Sequence, residues 1–137
     1  TSRRQRQMCI RDRMQACTNG TLDKTEVKFS DGAAACVVLA SGGYPVAYEK
    51  GKEITGLENG QAPGAADVTV YHAGTAIKDG KLVTNGGRVL GVTATAATLP
   101  EALKKAYAAA DCIHFDKLHR RSDIGARALA AMKAQEG

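Results

Sequence analysis

The sequence contains no tryptophan, and aromatic residues make up only 4% of its 137 residues. Its core must therefore be packed from small and branched side chains such as Ala, Val and Leu. No apolar run approaches the ~20 residues that span a bilayer, and no signal-peptide pattern opens the chain. The hydrophobic fraction of 44% is ordinary for a globular protein. We therefore expect one modest domain located in the cytoplasm.

The sequence lacks the cysteine spacing of the usual metal and disulfide frameworks. Cys9, Cys17, Cys36 and Cys112 form no C-x-x-C motif and are too few for a disulfide scaffold. We predict free thiols, with Cys36 packing as a small hydrophobe inside an apolar run. No local basic partner marks any of the four as an activated nucleophile.

Two histidines near the carboxy terminus also fail to indicate a metal site. His114 and His119 are five residues apart, which fits no zinc-binding helix motif. Their neighbours Lys117, Arg120 and Arg121 would repel a cation. We therefore assign no metal ligands in this chain.

The net charge of +5 is concentrated at the amino terminus. Residues 1–13 carry five arginines and one aspartate, so the remainder has a charge of only +1. A domain near neutrality lacks the basic face of a phosphate-backbone binder, which leaves nucleic-acid binding as an alternative carried by the tail alone. Because residues 1–13 also lack apolar periodicity, we predict a foreign or disordered basic tail.

The first half of the chain predicts strands separated by glycine-rich turns. Met14–Cys17 is typical of a helix end, closed by Asn19-Gly20. Residues 25–29 alternate as a strand does, and Ala33–Ala40 predicts a near-continuous apolar strand at the centre of a sheet. Gly42, Gly43, Tyr44 and Pro45 then break it. Residues 48–64 predict a loop, with one short strand possible at 53–55.

The stretch from Val68 to Ala96 is predicted to consist of β-strands separated by sharp turns. Val68–Tyr71 and Lys81–Thr84 predict strands, and Asp79-Gly80 tolerates the positive φ of a tight hairpin. Asn85-Gly86-Gly87 predicts a sharp bend, followed by a strand from Arg88 to Thr93. Backbone amides beside a guanidinium suit a carboxylate or a phosphate, although an Asn-Gly-Gly sequence is also typical of a plain turn.

Two helices are predicted after this stretch. Thr98 and Glu101 form a capping-box pattern with Pro100 in the first turn, and the apolar period continues to Ala110. Ser122 or Asp123 can cap a last helix that reaches about Ala134. Its apolar positions are Ile124, Ala128, Ala131 and Met132.

Four segments in this order and spacing resemble the carboxy-terminal domain of the phosphoribosylamine–glycine ligases, which belong to the ATP-grasp superfamily. They are A-C-V-V-L-A-S-G-G-Y-P, Y-H-A-G-T, T-N-G-G-R-V-L-G-V-T-A and R-R-S-D-I-G-A-R-A-L. The resemblance covers about residues 14–129. It implies an α+β fold, a small β-rich hybrid barrel of the rudiment single hybrid type with one or two covering helices.

The resemblance also implies a reaction. These ligases use ATP, with Mg²⁺ or Mn²⁺, to join glycine to 5-phosphoribosylamine in purine biosynthesis. Carried onto this chain, the substrate-facing candidates are the bend residues Asn85, Gly86, Gly87 and Arg88, followed by the turn residues Gly42, Gly43, Tyr44 and Pro45. His72 and Thr75 come third, and His72 also fits the role of a strand histidine with its hydrogen bonds satisfied.

The departures from the family are equally informative. The family's metal ligands, an acid and an asparagine, should precede the helix that ends near Cys17, and the arginine-rich tail stands there instead. We therefore divide the chain into the tail (1–13), a remnant of the ATP-grasp domain (14–32) and the carboxy-terminal domain (33–130). Alone, the chain should bind no cofactor and lack ligase activity without the ATP-grasp domains. The alternative is a non-catalytic interaction module.

Overall fold

The structure, a computed structural model, describes residues 2–64 and 66–136, with side chains from residue 10 to residue 135 apart from residue 65. Thr1, and the side chain of Cys9, therefore lie outside the described part. The chain divides into two compact units, Thr1–Asp31 and Gly32–Gly137.

The first unit contains helix α1, Ser2–Asn19, followed by a 3-10 turn at Leu22–Lys24. Gly20 has a φ of 68°, which confirms the predicted left-handed cap. The tail predicted as foreign or disordered lies within α1 from Ser2 onward, and its foreign origin stays a prediction. The strand predicted at residues 25–29 is wrong. These residues belong to no strand, and none of them is buried, with Phe29 89% exposed.

The second unit is built on a four-stranded antiparallel sheet in the order β2-β5-β1-β6. Its strands are β1 (Ala33–Ser41), β2 (Val68–His72), β5 (Arg88–Ala96) and β6 (Leu118–His119). The apolar strand predicted to be central is confirmed, because β1 pairs with β5 on one side and with β6 on the other. The predicted strand at 53–55 contributes only isolated bridges, from Glu53 to Val83 and from Thr55 to His114.

A separate hairpin joins β3 (Thr75–Lys78) to β4 (Lys81–Thr84). Asp79 and Gly80 have φ values of 52° and 74°, as the predicted Asp-Gly turn requires. The α+β class is therefore confirmed. Within the described residues, however, the four-stranded sheet and the hairpin remain separate sheets and close no barrel.

Helix α2, Leu99–Asp111, covers one face of the four-stranded sheet, which we call the inner face. The helix buries Ala102, Leu103, Ala106, Ala109 and Ala110. The predicted capping box is wrong, because the Thr98 side chain makes no capping hydrogen bond; its carbonyl instead accepts the Ala102 N–H at 3.1 Å. Small alanines on the helix let it lie close to the branched side chains of the strands.

Helix α3, Ala126–Glu136, begins later than predicted. Asp123 does not cap it, since its carboxylate is held by Arg121 through Nε–Oδ1 and Nη2–Oδ2 distances of 2.9 and 2.8 Å. The predicted apolar positions Ala128, Ala131 and Met132 are exposed. No helix among the described residues is both long and apolar enough to cross a membrane.

The side chain of Cys36 corrects another expectation. Cys36 lies in β1 but is exposed, as are Cys17 and Cys112. The buried side chains of β1 are those on the other phase of the strand, such as Val37 and Leu39. Continuous apolar sequence did not distinguish the two faces, because alternation is the only signal that assigns a strand residue to a face.

Candidate functional site

The bend predicted as the main site connects β4 to β5, and the buried Thr84 fixes where it starts. Thr84 pairs with the loop before it in three ways. Its N–H donates to the Lys52 carbonyl at 2.8 Å, its carbonyl accepts the Gly51 N–H at 2.6 Å, and its Oγ1 accepts the Lys52 N–H at 3.1 Å. With all its polar groups satisfied, Thr84 can be buried at little cost, and it holds the bend in place.

The Gly42–Pro45 turn lies directly against this bend. Ser41, at the end of β1, donates its N–H to the Gly87 carbonyl at 2.8 Å and its hydroxyl to the Gly86 carbonyl at 2.9 Å. The Tyr44 ring occupies the space that a Cβ at Gly87 would need. A Cβ at position 87 would displace the Tyr44 ring, so glycine permits this close packing, and the first two groups of candidates form one surface.

The third candidate group reaches the same bend from the other side. The Gly74 carbonyl accepts the Asn85 N–H at 2.8 Å, and the Gly74 N–H donates to the Val89 carbonyl at 3.0 Å. A Cβ at Gly74 would lie 2.9 Å from the Gly86 Cα, so the two backbones touch only because both residues are glycines. The structure thus brings all three candidate segments together around the bend.

His72 makes two hydrogen bonds of its own. Its Nε2 lies 2.8 Å from the Gly60 carbonyl, and its Nδ1 lies 3.0 Å from the Thr75 Oγ1. Because a carbonyl only accepts, Nε2 donates to the Gly60 carbonyl, which leaves Nδ1 to pair with the Thr75 hydroxyl. Both ring nitrogens therefore have partners, as expected of a satisfied strand histidine, and a substrate-facing role for His72 stays a prediction. His72 supports the bend through the 73–74 connection.

Arg88 is placed differently from its neighbours. It lies opposite Ala40 at a β-bulge in which Val89 is the additional residue, and its side chain is exposed. Within the described part of the chain, its guanidinium has no ion pair or hydrogen bond. Asn85 is exposed on the same bend. An unpaired guanidinium beside an amide suits a carboxylate or phosphate ligand.

Sequence reasoning missed a network of ion pairs beside the Gly42 turn. Lys52 Nζ lies 3.0 Å from Glu49 Oε2 and 3.5 Å from Asp116 Oδ2, and Lys117 Nζ lies 3.3 Å from Glu49 Oε2. Hydrogen bonds from Lys52, and then from Lys117, lower the pKa of Glu49, and the bond to Glu49 raises the pKa of Lys52. Only the Glu49–Lys52 pair could have been predicted from the local sequence, because Asp116 lies more than sixty residues away along the chain.

The described residues contain no group of three or more His, Cys, Asp or Glu side chains positioned to hold a metal ion. Near the bend, both carboxylates, Glu49 and Asp116, already face lysines. Mg²⁺ prefers several oxygen ligands in octahedral geometry. The residues around the bend therefore do not fit a metal, and they offer cationic and amide groups instead.

Comparison with known proteins extends this picture. Residues 34–127 match the family described as phosphoribosylglycinamide synthetase, C domain. The chain is 47% identical over 117 residues to a phosphoribosylamine–glycine ligase of Synechocystis sp., covering 85% of this chain and 27% of that protein. It is also 47% identical to the trifunctional purine biosynthetic protein adenosine-3 of Gallus gallus, covering 90% of this chain and 12% of that protein.

A solved structure agrees. The crystal structure of a phosphoribosylamine–glycine ligase from Thermotoga maritima matches with a TM-score of 0.60 and 48% identity, over 72% of this chain and 22% of that one. The chain thus spans about a quarter of the length of the bacterial ligases it matches.

Proposed function

Because the chain belongs to the family of phosphoribosylglycinamide synthetase C domains, we propose that it works as the carboxy-terminal domain of a phosphoribosylamine–glycine ligase. The complete enzyme would join glycine to 5-phosphoribosylamine, releasing ADP and phosphate, in the cytoplasmic synthesis of purines. The hybrid barrel and the cytoplasmic location that the sequence predicted stay predictions.

One observation carries the role of this chain within that reaction. Three separate segments, which the resemblance implied to be substrate-facing, converge on one bend, and that bend presents the Arg88 guanidinium, which has no partner among the described residues. Such convergence is not needed for a simple hairpin turn. It is expected of a site in which the backbone is fixed before a ligand binds.

The chemistry of this surface suits charge neutralisation. Glycine brings a carboxylate, and ATP and phosphoribosylamine bring phosphates, all of which pair well with a guanidinium fork. When bound, ATP and its Mg²⁺ would supply the phosphoryl group that activates the glycine carboxylate. The ATP-grasp part of the enzyme would hold both, since the residues described here do not fit a metal. Arg88 would contact an anionic substrate group and orient it.

The decisive experiment compares this chain alone with a hybrid ligase. In the hybrid, residues 34–127 replace the matched segment of the Thermotoga maritima enzyme. ADP release is measured with ATP, glycine and phosphoribosylamine. We expect turnover by the hybrid and none by the chain alone. Turnover by the chain alone would contradict the need for an ATP-grasp part, and a folded but inactive hybrid would contradict the proposed function.

A second candidate function is a non-catalytic interaction module of the same fold. Exposed apolar side chains favour it: Val46 in the turn after Pro45 is 93% exposed, and Tyr71 in β2 is 59% exposed. In that case Arg88 would have only a structural role, which substitution in the hybrid would reveal.

A further inference from the structure

Lys52 connects an ion-pair network to the start of the bend. Its N–H donates to the Thr84 Oγ1 at 3.1 Å, and its carbonyl accepts the Thr84 N–H at 2.8 Å. Its Nζ, on a side chain that is 35% exposed, lies 3.0 Å from Glu49 Oε2 and 3.5 Å from Asp116 Oδ2. Because Thr84 directly precedes the bend residues 85–88, the ion pairs of Lys52 act on the backbone from which the bend starts.

The same network reaches the turn on the other side of the bend through Lys117. Lys117 Nζ lies 3.3 Å from Glu49 Oε2, so that Glu49 is shared by two lysines. A Cβ at Gly42 would lie 2.8 Å from the Lys117 carbonyl oxygen, so the absence of a side chain at Gly42 permits close packing here. Ser41, the residue before Gly42, donates two hydrogen bonds to carbonyls of the bend. The network therefore contacts both segments that flank the bend.

The backbone of Lys117 indicates that this corner is held by its surroundings. Its φ of 59° lies in the left-handed region, which glycine adopts freely and residues with a side chain disfavour. Such a conformation persists where neighbouring contacts over-determine it. Here those contacts are the ion pair with Glu49 and the packing on Gly42. The corner therefore gives the network a fixed point, and the adjacent Asp116 connects it to Lys52.

Positioning of the bend explains this arrangement better than global stability does. Exposed ion pairs contribute little to the free energy of unfolding, because water screens them and long side chains lose entropy. Only Asn85 and two glycines separate Thr84 from Arg88. Since glycine does little to restrict the backbone, contacts with the flanking segments must fix the place of Arg88. A displacement of about 1 Å in a positioning group can lower a rate about a hundredfold.

We propose that Lys52 is a positioning residue of the ligase, whose ion pairs with Glu49 and Asp116 fix Thr84 and thereby the place of Arg88. In this role Lys52 contacts no substrate and acts through Arg88. This inference rests on the proposed function, and it adds the group that fixes the site before a substrate binds.

Hydrogen exchange in this chain alone tests whether Lys52 fixes the bend. Lys52→Met keeps an unbranched apolar stem and removes the charge, and the Thr84 amide should then exchange roughly threefold faster or more. Lys52→Arg keeps the charge and should retain most of the protection. Lys105→Met is the matched control, because Lys105 on α2 is 43% exposed and its Nζ lies 2.9 Å from Asp67 Oδ2, away from the bend. It should leave Thr84 exchange unchanged.

Steady-state kinetics of the hybrid ligase test whether Lys52 acts through Arg88. Lys52→Met should lower kcat/KM roughly threefold or more and should change the KM of the same substrate as Arg88→Ala does. Lys52→Arg should recover most of the activity, and Lys105→Met should leave it unchanged. Because the two residues act as one unit in this proposal, the double variant should be no slower than Arg88→Ala alone.

The possible outcomes separate this inference from the proposed function. Unchanged Thr84 exchange in a folded Lys52→Met chain would overturn the proposal, and an active hybrid would leave the function intact. Activity losses that add in the double variant would also overturn it, because Lys52 would then act independently of Arg88.

Two further results have defined meanings. If circular dichroism shows that Lys52→Met does not fold, Asp116→Asn removes one charge of the network, and faster Thr84 exchange in that variant supports the proposal while unchanged exchange overturns it. If the unsubstituted hybrid is folded but inactive, the proposed function is wrong, and faster Thr84 exchange in Lys52→Met still supports the role of Lys52 in fixing the bend.

Discussion

The Thr75 hydroxyl and the His72 ring clamp the short connection between β2 and β3. Their hydrogen bond of 3.0 Å closes the turn that presents the Gly74 carbonyl to the Asn85 N–H. Thr75→Val keeps the shape of the side chain and removes the donor. We expect it to lower the free energy of unfolding by about 1 kcal/mol, and therefore the melting temperature by roughly 3–6 °C.

Thr75→Ser is the matched control, because it retains the hydroxyl and should retain most of the stability. Hydrogen exchange of the Asn85 amide provides a local readout, and it should accelerate in Thr75→Val more than in Thr75→Ser. Equal exchange in the two variants would show that the clamp does not hold the bend.

Glu49 makes stability depend on pH in a defined direction. Its pKa is lowered by hydrogen bonds from Lys52 and Lys117, so the folded chain keeps this carboxylate ionised at a lower pH than the unfolded chain does. Its stabilising contribution is complete above the ordinary carboxyl range and is lost as the pH falls through the lowered pKa. Glu49→Gln should therefore have a slightly lower melting temperature than the unsubstituted chain at neutral pH, and this difference in melting temperature should disappear in acid.

Thermal melts across the acid range check this, with Glu58→Gln as the control, since Glu58 makes no side-chain ion pair within the described residues. A gap that persists in acid would mean that Glu49 acts through packing and not through its charge.

At the scale of elements, successive side chains of β1 alternate between the buried core and the exposed face of the sheet. Leu39 is fully buried in the core, while its neighbour Val38 is 41% exposed on the face of the sheet opposite to α2. Leu39→Ala should cost about 2–5 kcal/mol through lost burial and the cavity left behind. Val38→Ala should cost about 1 kcal/mol or less. Urea unfolding of both variants measures the difference, and equal losses would contradict the assignment of faces.

Local chemistry explains which elements could be predicted. The turn of the β3–β4 hairpin could be predicted from Asp79-Gly80, because positive φ at those residues is a local property of the backbone. The bend was predicted from Gly86-Gly87, but these glycines are needed for close contacts with Gly74 and Tyr44, which the local sequence does not show. The strand predicted at 25–29 failed because alternation alone supplies no partner strand. The first turn of α2 has the capping-box sequence, yet the Thr98 side chain makes no capping bond.

At the scale of the whole molecule, the site depends on contacts that no local pattern contains. Ser41 meets Gly86 across 45 residues of sequence, and the Lys52–Asp116 pair joins two loops that lie farther apart still. The resemblance supplied the candidate segments, and the structure supplies their convergence. The exposure of Cys36 could not be predicted, because a continuous apolar run contains no polar residue to show which side chains of the strand face the core and which face the solvent.

Arg88 gives the sharpest test of the proposed role of this domain in a complete ligase. Since its guanidinium has no partner among the described residues, Arg88→Ala should change the stability of the isolated chain by only about 0.5 kcal/mol or less. In the hybrid ligase, the same change should lower kcat/KM at least about tenfold, because hydrogen bonds to charged groups contribute roughly 1.5–3 kcal/mol.

Arg88→Lys keeps the positive charge and loses the planar guanidinium fork, so intermediate activity would indicate bidentate contact with a carboxylate or phosphate. Steady-state kinetics with glycine and phosphoribosylamine varied separately would show whose KM rises, and therefore which substrate Arg88 contacts. Unchanged kinetics in a folded Arg88→Ala hybrid would remove the substrate contact and favour the interaction module.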